Sequence, residues 1–204
     1  MKEKEIEDEL VSIRSMMERS SKFISLSGLS GVLAGVYALV GAALTFYIIY
    51  GGSCYSPMFL GLETGSLISL IIVAAAVLIA SLITGYILTS RKAKKKGQPI
   101  WGNTSRGLLF NMAVPLLSGG VLILILLIRG CYGIVSPASL IFYGLALIGA
   151  SNFTFKDVRY LGLCEIILGL IAACLPGYGL LFWAIGFGVL HIIYGSMMYF
   201  KYDR

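Results

Sequence analysis

Apolar side chains in this chain come in long blocks, not in the two-residue alternation of half-buried strands, and short polar breaks separate them. The pattern predicts six helical spans, near 26–49, 66–88, 108–128, 134–150, 160–175 and 180–200. Most approach the ~20 residues with which a helix crosses ~30 Å of hydrocarbon. The fourth and fifth are shorter, which a locally thinned bilayer or shielding by neighbouring helices accommodates. The breaks "YGGSCYSP" (50–57), "RGCYGIVSP" (129–137) and "PGYG" (176–179) combine Gly, Pro and Tyr, the residues of tight reversals and headgroup-level anchors. The expected fold class is therefore all-α: a polytopic bundle of six transmembrane helices arranged as three hairpins.

Ahead of the first block the pattern changes. Ile6, Leu10, Ile13, Met17 and Ile24 fall at helical spacing on one stripe, while Glu3, Glu5, Glu7, Asp8 and Glu9 lead and Arg14, Arg19 and Lys22 trail. That order complements a helix dipole. Residues 1–22 are thus expected to form a cytoplasmic amphipathic helix, and 23–204 the six-span bundle. The acidic start disfavours both an anionic lipid surface and the leading region of a secretory signal. The helix is suited to docking on the bundle, on a second copy or on a membrane partner.

Composition agrees with the pattern. Of 204 residues 58% are apolar and only 13% charged, well below the quarter usual in soluble domains, and 25 are glycine. Few residues remain outside the spans, which excludes a separate soluble catalytic domain. Charge then sets orientation, because Lys and Arg near span ends stay on the cytoplasmic side. Of the 16 basic residues, only Arg129 falls on the opposite side from the rest. The others precede span 1, join spans 2 and 3, join spans 4 and 5, or follow span 6. Both termini are expected inside the cell. The densest cluster, Arg91, Lys92, Lys94, Lys95 and Lys96 with Trp101 nearby, is read as contact with anionic lipid headgroups at about 1 kcal/mol per basic residue. A nucleic-acid reading fails for want of a stacking surface or folded module beside the charge.

Few polar groups lie inside the spans. Glu165 sits in "LGLCEIILGL" (161–170), and His191 is the single histidine. The "PGYG" turn makes spans 5 and 6 antiparallel neighbours, with Glu165 about twelve residues before its centre and His191 about thirteen after, so their levels differ by only ~1.5 Å. A carboxylate beside an imidazole is far cheaper in hydrocarbon than a lone charge. Asn111 is expected at a similar depth on span 3, completing a candidate cluster of Glu165, His191 and Asn111. Spans 1, 3 and 5 each place Ser27, Asn111 or Cys164 five residues after Lys22, Arg106 or Arg159, a faint parallel repeat. Gly28, Gly31 and Gly35 read as a close-packing face on span 1.

Other chemistry is thinly supported. The cysteines lack metal-ligand spacing, one histidine excludes bis-histidine haem within a chain, and no cofactor is expected. Cys54 and Cys131 occupy similar outer turns and are candidates for a disulfide in an oxidising compartment. The stretch "SGLSGVLAGVYALVGA" (27–42), with Ser30, and "HIIYG" (191–195) resemble short segments of rhomboid intramembrane proteases. That resemblance implies a serine–histidine pair, but Ser30 lies on the first span and no oxyanion loop is recognisable. More broadly, "MERSSKFISLSGLSG" (17–31) and "GYGLLFWAIGFGVLHIIYGSMMYFKY" (177–202) resemble small uncharacterised multi-span inner-membrane proteins of Bacteroidota type, which implies a bacterial cytoplasmic membrane and no particular activity. The sequence reading is a non-catalytic membrane subunit, scaffold or assembly partner. The alternative is a small transporter or channel subunit using Glu165 and His191, and an intramembrane serine hydrolase is a distant third.

Overall fold

The computed structural model describes residues 27–51, 64–95 and 101–203. The amphipathic segment 1–22, Cys54 and Lys96 lie outside them. Among the described residues the chain is helical, with no strand. Helix α1 spans Gly28–Tyr50, α2 Thr64–Lys95, α3 Asn103–Ile128, α4 Val135–Ser151 and α5 Asp157–Cys174. Helix α6 is one rod in four stretches: Gly179–Trp183, a π-wound turn Ala184–Leu190, His191–Met198, and a second π-wound end Tyr199–Asp203. Five helical runs are long and apolar enough to cross a membrane: α1, α2, α3, α6, and α4 together with the single 3-10 turn Tyr132–Ile134 that leads into it. The molecule is therefore a multi-pass membrane protein. Helix α5, at 18 residues, carries Asp157, Arg159 and Glu165, and so falls short of that apolarity.

The ends of these elements follow from local chemistry. Gly51 closes α1 in the left-handed region at φ 55°, its N–H donating to Tyr47 O, a conformation that costs glycine nothing. Helix α2 runs well past the apolar block, which stops near 88, and takes in Arg91 to Lys95. The reason is that Lys92, Lys94 and Lys95 complement the negative C-terminal end of the helix dipole. In α3, Pro115 has no N–H to offer the Asn111 carbonyl four residues back. Gly149 of α4 packs against that carbonyl: a Cβ placed there would stand 3.0 Å from Asn111 O.

Helix α6 joins two groups. On one side it packs along α1, which in turn carries α2; on the other it contacts α4 and α5, which form the most extensive helix pair, and α4 carries α3. In a bilayer lipid tails compete with apolar side chains for contact, so helices associate through small residues that let backbones approach. Both main crossings are built that way. At α1–α6, a Cβ on Gly195 would stand 2.5 Å from Val32 N and 2.8 Å from Gly28 O. At α4–α5, Gly144 and Gly162 face one another, each 2.6–2.7 Å from the other's carbonyl oxygen when given a Cβ. Helix α2 has looser contacts, Gly41 of α1 receiving Val77 and Tyr37 Oη lying 3.3 Å from Thr84 Oγ1. None of its apolar window is buried inside the chain, against 39% for α4.

Candidate functional site

The polar interior lies where α4, α5 and α6 meet. Glu165, near the middle of α5, is fully buried at 0% exposure, and His191 of α6 is buried beside it at 6%. Imidazole Nδ1 lies 3.4 Å from Glu165 Oε1. The same nitrogen makes its hydrogen bond elsewhere, to the Gly186 carbonyl at 3.0 Å. A carbonyl only accepts, so Nδ1 carries the hydrogen in either charge state of the ring. Gly186 lies five residues back on the π-wound turn, and five is the spacing that this winding brings into register.

The other ring nitrogen faces Tyr143 of α4, with Oη 2.8 Å from Nε2. The phenol donates to a neutral imidazole and accepts from a protonated one. Aromatic contacts fix the ring further: Phe187 stacks on His191 with centroids 5.9 Å apart, Trp183 lies 5.1 Å from Phe187, and Tyr143 lies 4.9 Å from Phe187. Trp183, Phe187 and His191 follow at steps of four along α6, which places them on one face. A core of Leu147, Val158 and Leu161 supports the Tyr143 side of the group.

Glu165 is held differently. Neither carboxylate oxygen has a hydrogen-bond partner among the described residues, and 3.4 Å is long beside the ~2.7–2.9 Å of a charge-assisted bond. Gly186 makes room for it, since a Cβ there would meet Oε2 at 2.5 Å and Leu140 Cδ2 at 2.5 Å. One proton held by the pair, as acid plus imidazole or as carboxylate plus imidazolium, would leave it electrically neutral. An ionised carboxylate without a counter-charge would be far costlier in this setting.

Asn111 does not join this group, contrary to the sequence expectation. Its amide donates to Gly107 O of its own helix at 2.9 Å, and its backbone faces Gly149 of α4. The amide finds a carbonyl on its own helix one turn back, a local partner that depth along the span cannot reveal. Tyr143 takes the place expected of Asn111. Sequence reasoning missed Tyr143 because one of 12 tyrosines in a largely apolar chain carries no signal of its own. The hairpin arithmetic that aligned Glu165 with His191 had no counterpart for α4.

Ser30 and His191 do not form a pair. Ser30 Oγ donates to Ser27 O at 2.6 Å, and both imidazole nitrogens are engaged as described. Gly28, Gly31 and Gly35 all lie against α6: Gly28 against Gly195 and Tyr199, Gly31 against Gly195, Gly35 against Gly188 and Ile192. Cys131, Cys164 and Cys174 are exposed and form no disulfide among the described residues; the expected Cys54–Cys131 pairing involves a residue outside them. Of the basic cluster, Arg91, Lys94 and Lys95 are exposed, Lys92 lies 6.0 Å over the Phe155 ring, and Trp101 is exposed.

A second polar group stands at the end of the bundle. Asp157 accepts from Lys201 Nζ at 3.0 Å and Tyr202 Oη at 2.8 Å, and Tyr202 stacks on Phe155 with centroids 4.0 Å apart. Partial burial pushes the Asp157 carboxyl up. The hydrogen bonds from Lys201 and Tyr202 and the Lys201 charge outweigh it, so the group titrates below its usual range. Comparison of the chain with protein-family models, with curated proteins and with solved structures finds no match.

Proposed function

We propose that this protein is a non-catalytic subunit or assembly partner of a bacterial cytoplasmic membrane, with six spans in three hairpins and both termini in the cytoplasm. The basic residues at the cytoplasmic ends favour this orientation, and the likeness to Bacteroidota-type inner-membrane proteins favours the compartment. The observation that carries the role is the way His191 is spent. One ring nitrogen binds a carbonyl on its own helix and the other a phenol on α4. The histidine thus works as a tie that sets the register of α4 and α6, the common use of polar residues between membrane helices. The acidic-to-basic segment 1–22 is the docking element for a second copy or another membrane protein.

Purification of the full chain in mild detergent, followed by native mass analysis, tests this reading. A complex of fixed stoichiometry that is lost on deletion of residues 1–22, while the bundle keeps its helicity, is the expected result. A monomer that drives a measurable ion flux in vesicles would overturn it.

One observation favours a second reading, a small transporter or channel subunit. Glu165 is buried without a hydrogen-bond donor on either oxygen, an arrangement that spare proton acceptors share and tight structural ties do not. Its neighbour is a π-wound turn, a feature frequent at working sites. Glu165→Gln separates the two. A variant that folds and loses a proton or cation flux supports the relay, and a folded variant with every flux and growth trait intact removes it.

A further inference from the structure

The connection between α4 and α5 holds a depression of about 580 Å³ lined by Ser151, Asn152, Lys156, Arg159, Tyr160 and Leu163. Lys156 and Arg159 stand three residues apart, so their side chains share one face of the helix start. Both are exposed, and neither forms an ion pair among the described residues. Asp157, the acid between them in sequence, is already held by Lys201 and Tyr202. The backbone at this end is occupied too, with Val158 N–H donating to Phe155 O and Arg159 N–H to Lys156 O. Among the described residues, the lining donors without a partner are therefore the two cationic side chains, the Asn152 amide and the Tyr160 phenol.

What continues from the depression decides the ligand. Tyr160, Leu163, Ile167, Leu170 and Ile171 are all exposed and recur at helical steps, giving α5 an apolar outer track. From Arg159 to Ile171 the track runs ~18 Å at 1.5 Å per residue. That is about the depth of one leaflet of a ~30 Å core. A soluble phosphate would use the cations and leave this track idle, whereas a lipid uses both.

We propose that this depression seats the headgroup of a doubly anionic phospholipid of the cytoplasmic leaflet. Its phosphates lie against Lys156 and Arg159, and an acyl chain follows Leu163 and Ile167. Two cations match two negative charges, and the guanidinium offers a planar fork suited to phosphate oxygens. The leaflet rests on the topology proposed above; the lipid selectivity does not.

The test is native mass spectrometry of the full chain after equilibration with mixed micelles containing cardiolipin and phosphatidylglycerol. The expected result is one cardiolipin retained per chain in preference to phosphatidylglycerol. Replacing Lys156→Gln and Arg159→Gln together should weaken that retention about thirtyfold, at about fivefold per lost charge. The control Arg129→Gln should leave it within about twofold, since that exposed residue closes α3 at the opposite end of the bundle. Equal retention of both lipids, equal loss in the Arg129→Gln control, or displacement of the lipid by inorganic phosphate alone would overturn the proposal. Maleimide labelling of Asn152→Cys in sealed vesicles of each orientation, measured against the parent, reports the side separately. Labelling from the outer side would overturn the topology while leaving a selective lipid site standing.

Discussion

Gly195→Ala is the sharpest probe of how the bundle is held together. The added methyl would stand 2.5 Å from Val32 N, 2.8 Å from Gly28 O and 2.9 Å from the Gly31 carbonyl carbon, all of them α1 backbone. Ordinary contacts lie at ~3.5–4.0 Å, so α1 and α6 must part by about 1 Å, and no side-chain rotation can relieve the clash. A gap of that size forfeits a quarter to a half of each dispersion contact along the crossing. Overpacking of this kind costs about 1–3 kcal/mol, while alanine returns ~0.5–1 kcal/mol of helix propensity. The net expectation is a loss of about 1–2 kcal/mol, or roughly 2–8 °C in melting temperature for a chain of this length. Gly85→Ala is the matched control, because nothing lies within 4 Å of a Cβ at that position. Tryptophan-fluorescence melting of both variants in the same mild detergent is the assay. Should Gly195→Ala melt at or above the parent while Gly85→Ala melts at or slightly above it, as an unopposed gain in helix propensity requires, the reasoning from backbone approach at α1–α6 fails.

Three further outcomes follow from the same geometry. Tyr143→Phe leaves His191 Nε2 without its 2.8 Å partner and should lower stability by about 0.6 kcal/mol, at most ~1.7, in detergent melting; no change would mean the phenol is idle. Asp157 has a depressed carboxyl pKa, so its pairing stabilises the fold above the unfolded value near 3.9 and is lost as pH falls through the folded value. The melting difference between parent and Asp157→Asn should thus be constant above about pH 5, shrink progressively as pH falls through the unfolded value, and vanish only below the folded one; a difference that instead widens in acid would contradict the pairing. Finally, protease added to sealed right-side-out vesicles should leave the amino-terminal tail intact; its removal would reverse the proposed orientation.

The alignment of Glu165 with His191 was legible because it depends on only two things, a short turn and a fixed rise per residue. Counting from "PGYG" sets the heights of two antiparallel neighbours, and the structure places the side chains 3.4 Å apart. The all-helical character and the length of most blocks are legible for a similar reason: an apolar run of this length has few conformations that satisfy its own backbone. Asn111 shows where such counting stops. An expected depth says nothing about which way a side chain turns, and this amide turns back to the Gly107 carbonyl of its own helix.

By itself, then, the sequence determined the class of environment and the common level of Glu165 and His191, because the first is a property of a single apolar helix and the second of a short turn with a fixed rise. Which helices touch was decided only in three dimensions. That α6 bridges α1 to α4 and α5, that Tyr143 completes the histidine's bonds, and that Gly186 opens space for a carboxylate all depend on crossings between segments far apart in the chain. The physical reason is that every span offers much the same apolar surface to every other and to lipid. Partner choice therefore rests on where a few glycines let backbones meet, and their partners are invisible until the helices are set side by side.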